Sequence, residues 1–400
     1  MTRKTVVTGL GLATPFGKKT LAEDWQCLLS GESARREVDF FDVSQSRCKQ
    51  AAFSPLFHQT PFRSRSVALA HHALDQALVQ AHLLNQHRQV IIPDLSFSVS
   101  TTAGAMARGE EFVRRILAHK KGRRLKAIDT YQGQQQVLEL QQTFGITGRS
   151  HIVCNACASG ANAIGHGHDW IQAGWAECVI VGGYEALTEL LFYGFDSLQS
   201  LAPESCKPFD LHRDGLMIGE GAGFLVLETE EHAQKRGVPI LAEIAGYGHT
   251  TDLHHLTQPH PEGIALQKAM NQALTQSDIR LDEIGYLNSH GTGTSMNDGA
   301  EFKSYQGVFG ESISSLQISS TKATTGHTLG AAGAIEAIFS ILALREGQAP
   351  PQMNTLHPIP EIASLLVKPN QPLQNWRATM SVNLGFGGSN AALVFKKHSA

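Results

Sequence analysis

Three residues in this chain could do chemistry together: one thiol and two imidazoles. Cys157 lies in Cys154-Asn-Ala-Cys157-Ala-Ser-Gly160, His290 in Asn288-Ser-His290-Gly-Thr-Gly-Thr294, and His327 in Ser319-Ser-Thr-Lys322-Ala-Thr-Thr-Gly-His327. A thiol can hold an acyl group as a thioester. Two imidazoles can stabilise the enolate of a second partner, so the set suits carbon–carbon bond formation between thioesters.

Each residue also has a plainer reading. A free cysteine is commonly a small buried hydrophobe. A histidine at a strand end is often only a hydrogen-bonded loop residue. Cys157, however, follows a short apolar strand, His151-Ile-Val, and opens a helix rich in small residues, Ala158-Ser-Gly-Ala-Asn-Ala-Ile-Gly165. At a helix N-terminus the dipole favours thiolate and lowers the thiol pKa. His290 follows Gly285-Tyr-Leu-Asn-Ser, and His327 follows Gln317-Ile-Ser-Ser-Thr. Two strand–loop units ending in His-Gly or Gly-His point to parallel strand ends converging on one site. Lys322 reads either as a surface lysine or as a buried charge that orients the histidines.

The elements that must position these residues follow from the patterning. Apolar runs alternate with amphipathic stretches, which predicts an α/β fold. Strands are expected at 5–8, 95–100, 178–181, 223–227, 241–245, 285–287, 317–319, 380–382 and 391–395. Helices are expected at 21–29, 66–83, 158–172, 263–274, 298–307 and 331–346. Val67, Ala70, Leu74, Ala77, Leu78 and Ala81 recur at helical spacing as a core stripe. Gly9-Leu-Gly11, Gly182-Gly183 and Gly219–Gly223 read as tight turns after strands. Gly385–Gly388 reads as a loop whose backbone can approach a ligand. Gly9-Leu-Gly11 is no dinucleotide fingerprint, because Thr14 stands where the third glycine belongs.

Composition narrows the class. The 400 residues are 42% hydrophobic and 17% charged, enough for a large core. With 33 basic against 36 acidic residues, the chain carries no nucleic-acid signature. No apolar run approaches the roughly 20 residues that span a bilayer. The N-terminal segment has charges but lacks the apolar stretch of a signal peptide, so the expected location is the cytoplasm. Six cysteines are too sparse for a disulfide framework. The Cys154/Cys157 pair lacks the second pair or nearby histidines of a metal site, and no metal is expected. The run Arg114 to Lys126 is either a solvated face or a dock for an acidic partner.

Taken together, the motifs carry a resemblance. The chain resembles the β-ketoacyl-acyl carrier protein synthases of the thiolase superfamily, most of all the type II condensing enzymes. The likeness rests on Val6-Val-Thr-Gly-Leu-Gly-Leu-Ala-Thr-Pro-Phe-Gly17, the Cys157 run, and Lys207-Pro-Phe-Asp through Gly-Glu-Gly-Ala-Gly223. It continues through the His290 run with Asn297, Asp298 and Glu301, then Lys322 to Glu336, and Asn383-Leu-Gly-Phe386-Gly-Gly-Ser-Asn390. The resemblance implies a five-layered αβαβα sandwich of two duplicated halves, residues 1–247 with the cysteine and 248–400 with the histidines.

It also implies a mechanism. Cys157 takes an acyl group from acyl carrier protein, and His290 and His327 stabilise the enolate formed as malonyl-carrier protein loses CO2. The backbone N–H groups of Cys157 and Phe386 form the oxyanion hole, and the Phe386 ring gates the acyl pocket. Lys322 sets the electrostatics and Glu336 braces the loop. Thr292 and Thr294 guide the phosphopantetheine arm, while Phe195 and Ala103 contact substrate. No cofactor is expected, and the partners implied are acyl carrier protein and a second subunit, the same chain or a related one. Arg63, Arg65 and the Arg114–Lys126 run are expected to meet the carrier. The small Ala103 predicts an open acyl pocket, and Thr101 and Thr102 leave room for a polar or polyene chain. The rival reading is a non-catalytic chain-length-factor-like subunit; those typically lack the cysteine, which is present here. Thiolases carry a second cysteine near the C-terminus, and none follows Cys206.

Overall fold

The computed structural model describes residues 3–57, 64–118 and 131–399. The first half runs β1 (Thr5–Ala13), α1 (Leu21–Leu29), β2 (Arg35–Glu37), β3 (Gln50–Ala52), α2 (Arg65–Gln80), β4 (Ser96–Ser100), α3 (Met106–Leu117), α4 (Gly133–Phe144), β5 (Ser150–Val153), α5 (Ser159–Gln172), β6 (Cys178–Glu185), α6 (Glu189–Ser197), β7 (Gly221–Thr229) and α7 (Glu230–Arg236). The second runs β8 (Ala242–Thr251), α8 (Ile264–Ser277), β9 (Ile284–Asn288), α9 (Asn297–Phe309), β10 (Gln317–Ser319), the single turn α10 (Lys322–Thr325), α11 (Ala332–Glu346), β11 (Ala378–Leu384) and β12 (Ser389–Lys396).

Ten strands form one sheet in the order β10-β9-β11-β12-β8-β1-β7-β6-β4-β5. Read outward from the centre, each half repeats one plan. The first strand pairs antiparallel with the last, the last antiparallel with the fourth, and the remaining pairs are parallel. The halves join where Thr5–Val7 pairs antiparallel with Ala242–Ile244. The second repeat therefore opens at Ala242, and position 247/248 lies within β8.

Two helices sit between the halves. α11 is apolar around its circumference apart from Glu336 and Ser340, and it is buried from Ala332 to Leu344, as expected of a helix with no solvent face. α5 lies against it through small residues. A Cβ on Gly160 would come within 2.6 Å of the Ala334 nitrogen, and one on Gly333 within 2.4 Å of the Ala161 nitrogen. The small-residue run after Cys157 is thus a backbone-to-backbone contact. α2 covers the outer face of the first half and α8 that of the second, which completes five layers.

The glycines of β1 correct the sequence reading. Gly9 and Gly11 lie inside a nine-residue strand and make no turn; Gly182, Gly183, Gly221 and Gly223 likewise lie within β6 and β7. A Cβ on Gly9 or Gly11 would meet the carbonyl oxygens of Ala77 and Ala73 in α2 at 2.2 and 1.9 Å. The second half repeats the device: Gly246 and Gly248 of β8 face the carbonyls of Ala273 and Ala269 in α8, each at 2.0 Å. Strand and helix backbones touch there, and no side chain fits between them. Most predicted elements are present, several with longer ends. β2, β3, α3, α4, α6, α7 and α10 were not among them. Among the described residues no helix is long and apolar enough to cross a membrane.

Because the paired glycines do the same job in both halves, Gly11→Ala and Gly248→Ala should each destabilise the protein by about 1–3 kcal/mol, the usual cost of forcing extra atoms into packed space. Urea unfolding midpoints check this. A substitution that leaves the midpoint unmoved would show that the close approach is not required.

Candidate active site

The turn that carries Cys157 joins β5 to α5. Ala156 is held at φ +57°, a left-handed conformation that costs energy for a residue with a Cβ. Ser159 Oγ fixes it by accepting the Asn155 N–H at 2.8 Å and donating to the Ala156 carbonyl at 2.6 Å. Asn155 Nδ2 donates to Ser389 Oγ at 3.0 Å, which ties this turn to the loop carrying Phe386. The turn sets Cys157, which is 7% exposed, at the floor of a cleft.

The other half brings the imidazoles. His327 Nε2 lies 3.0 Å from Cys157 Sγ. Its Nδ1 accepts the Leu329 N–H at 3.3 Å, so the neutral ring carries its proton on Nε2, facing the sulfur. The His290 and His327 rings stand edge to face, with centroids 5.1 Å apart. One ligating atom from each of Cys157, His290 and His327 lies within 4.8 Å of the others. Both histidines are held well below the ordinary range, by burial first and then by the Lys322 charge, so both rings are neutral at physiological pH.

The loop of His290 rests on a carboxylate. Glu301 accepts the N–H groups of His290 at 2.5 Å and Gly291 at 2.8 Å. Burial pushes its pKa up to about 7. Asp298 accepts from the Phe209 N–H at 2.7 Å and the Gly293 N–H at 3.2 Å. The His327 backbone instead pairs with the strand-like run at Met217 and Gly219. Lys322 is 1% exposed and forms an ion pair with buried Glu336, whose second oxygen accepts from Asn383 Nδ2 at 2.6 Å. Lys322 is thus a buried charge and no surface lysine.

The thiol corrects an expectation. Burial pushes the Cys157 pKa up to about 12, although Lys322 and the Phe386 N–H, which reaches the sulfur, both act to lower it. α5 begins at Ser159, two residues beyond the cysteine, and its end does not offset the desolvation. The resting group is a neutral thiol.

Among the residues singled out in the sequence, the cleft gathers Cys157, Phe195, His290, Thr292, Thr294, His327 and Phe386. The Phe195 and Phe386 rings pack at 5.8 Å, and the Thr292 and Thr294 hydroxyls are 2.9 Å apart. Asp252, His255 and Leu256 form the facing wall; Leu256 O accepts the Gly387 N–H at 2.7 Å and Gly388 O accepts the Asp252 N–H at 2.7 Å. Gly387 and Gly388 hold φ of 80° and 83°, which lets this loop bend back over the cysteine.

Other residues stand elsewhere. Ala103 is not part of the cleft wall beside Cys157; its N–H is bound by Glu185 at 2.8 Å. The hydroxyls of Thr101 and Thr102 also donate to Glu185, so neither is offered to a polar chain. Arg65 forms no docking surface: it grips buried Glu220 through Nε at 2.8 Å and Nη2 at 2.5 Å. Arg114 pairs with Glu189 and Glu110, and Arg115 with Glu111. Arg63 and Lys120 to Lys126 lie outside the described residues. Glu185 is the residue that the sequence reading passed over. Its one signal is a charged side chain ending the apolar run of β6, at the edge where α/β sheets bind ligands.

With this geometry in hand, the relatives are informative. The β-ketoacyl synthase N-terminal domain profile matches residues 2–233 and the C-terminal domain profile residues 241–356. The mitochondrial 3-oxoacyl-[acyl-carrier-protein] synthase of Arabidopsis thaliana is 36% identical, over 98% of this chain and 93% of that protein. The 3-oxoacyl-[acyl-carrier-protein] synthase 2 of Staphylococcus aureus strain N315 is 35% identical, over 100% and 99%. Among solved structures, a β-ketoacyl synthase from Burkholderia phymatum STM815 superposes with a TM-score of 0.89 at 30% identity, covering both chains completely. A type II polyketide ketosynthase, solved with its acyl-carrier protein and a bound hexaketide, gives 0.90 at 28% identity, again with complete coverage of both. On the matched profiles, the full-length relatives and the repeated fold, the chain belongs to the β-ketoacyl synthase family.

Proposed function

We propose that this chain catalyses decarboxylating Claisen condensation of an acyl primer with malonyl-carrier protein, giving a β-ketoacyl-carrier protein in fatty acid or polyketide assembly. The observation that carries this reading is the Cys157 thiol set 3.0 Å from the His327 N–H, with a second neutral imidazole beside it.

Acyl transfer comes first. The Cys157 sulfur attacks the carrier thioester, its proton goes to the departing phosphopantetheine thiol, and an acyl-Cys157 thioester remains. The N–H groups of Cys157 and Phe386 hold the oxyanion. Phe386 and Phe195 gate the acyl path, and Thr292 and Thr294 guide the pantetheine arm. The malonyl thioester then sets its carbonyl oxygen against His290 and His327. The carboxylate departs as CO2, and its bonding electrons form the enolate that the imidazoles stabilise. The enolate carbon attacks the acyl-Cys157 carbonyl. Collapse expels the sulfur as a thiolate, which takes up one proton from water to restore the resting thiol, and releases the β-ketoacyl thioester on its carrier. Lys322 helps to hold both imidazoles neutral, so each approaches the oxygen as an N–H donor, and Glu336 braces Lys322.

The partner is an acyl carrier protein, and the assembly is a dimer in the cytoplasm. Pairing with a related subunit is the alternative to a homodimer: one structural neighbour is a ketosynthase in complex with its chain length factor, with a TM-score of 0.85 at 29% identity. The intact Cys157–His327–His290 set supports the catalytic role for this chain over the chain-length-factor role.

Mass spectrometry after mixing with acyl-carrier protein tests the proposal. An acyl adduct on Cys157, discharged only by malonyl-carrier protein as a β-keto product, is expected; no adduct, or discharge by water alone, would overturn it. His290→Ala and His327→Ala should each slow condensation about a hundred- to a thousand-fold, the usual loss for one preorganised donor, while acyl loading survives in part. Wild-type condensation rates in either variant would remove the paired role. The buried thiol gives a pH prediction. With its pKa raised to about 12, thiolate appears only as pH approaches that value, so iodoacetamide labelling of Cys157 should climb through the alkaline range. A plateau near neutral pH would show a thiolate already formed.

A further inference from the structure

Glu185 ends β6 directly behind the site, fully buried and outside the machinery described so far. Its two oxygens face only donors. Oε1 accepts the Ala103 N–H at 2.8 Å and the Thr101 hydroxyl at 3.1 Å. Oε2 accepts the Thr102 N–H at 2.9 Å, the Thr102 hydroxyl, and the Gly330 N–H at 3.1 Å. Thr101 Oγ1 itself accepts the Gly104 N–H at 2.9 Å, so its proton is free to go to the carboxylate. Five donors and no acceptor define an anion site built for a carboxylate, and no neutral side chain of the same shape supplies both oxygens.

The Gly330 bond crosses from one half of the fold to the other. Its neighbour Leu329 sits at φ +48°, a conformation that a leucine holds only when its surroundings impose it. Glu185 grips the Gly330 N–H, and Ser100 Oγ donates to the Gly330 carbonyl at 2.9 Å. The turn so fixed delivers the Leu329 N–H to His327 Nδ1. That bond places the ring proton on Nε2, facing the reacting sulfur.

We propose that Glu185 is a positioning residue for the condensation: by clamping the strained Leu329–Gly330 turn to the first half, it fixes the tautomer and orientation of His327. The inference rests on the reading of His327 as a donor to the malonyl thioester.

The test is Glu185→Gln. In either orientation the amide nitrogen would face at least two donors and release part of the clamp. Decarboxylation of malonyl-acyl carrier protein should lose about a hundred-fold in kcat, the scale of an ångström-sized misplacement of a catalytic group, with KM little changed. In protein labelled with ¹⁵N-histidine, the ring signals that vanish in His327→Ala should leave the Nε2-protonated pattern. Gly330→Ala, whose Cβ would stand 2.8 Å from Glu185 Oε2, perturbs the same turn with the carboxylate intact and should give the same ring change. It also serves if Glu185→Gln does not fold. Unchanged His327 ring signals in a folded variant would overturn the inference, as would a rise in KM at constant kcat. Failure of the wild type to decarboxylate would instead overturn the functional reading, while the ring signals still decide the role of Glu185.

Discussion

The buried ion pair of Lys322 and Glu336 is the constraint on which the site depends. Two opposite charges are taken out of water where the halves meet, with Asn383 satisfying the second carboxylate oxygen. Such a pair gains little over an apolar contact, but removal of one partner leaves a bare buried charge and typically costs about 3–5 kcal/mol. It therefore fixes more than it stabilises. Lys322 opens the short helix before His327, and Glu336 lies in the central helix that touches α5. The pair thus sets the distance between thiol and imidazole through the two backbones that carry them. Its positive end also holds both histidines neutral and partly offsets the burial of the thiol.

Much of this was legible in the sequence, for physical reasons. Strands buried on both faces read as apolar runs, and α2 shows its stripe because one face packs on a sheet. α3 escaped although its apolar residues recur at helical spacing, because none of its side chains is fully buried and the stripe is interrupted by charged residues. The trio of Cys157, His290 and His327 could be singled out because glycine- and hydroxyl-rich loops set cysteine and histidine apart from ordinary core positions, and the fold brings the three together. The state of the thiol could not. A helix end is visible in sequence, whereas the desolvation that outweighs it comes from residues distant in the chain. Glu185 was hidden likewise: its five donors come from two loops, Thr101–Ala103 in the first half and Gly330 in the second.

The glycines teach a related lesson. In one dimension Gly9-Leu-Gly11 looks like a turn, because glycine's freedom is the property most often used. Here its missing side chain is what matters, and only the partner helix shows why. The one run that does bend, Gly385–Gly388, carries positive φ at two of its glycines and closes over Cys157.

The sheet order bears on how the chain is made. β1 leaves the ribosome ahead of the other nine strands of the sheet, yet its partners are β7 and β8, more than two hundred residues later in the sequence. Until those strands emerge, β1 presents an apolar edge with nothing to pair with. Such distant pairings make folding slow and leave sticky intermediates exposed. The strand that welds the halves is thus the earliest made of the ten in the sheet, and it waits for β7 and then β8 before both its edges are paired. Chaperone demand should peak while the first half is being synthesised.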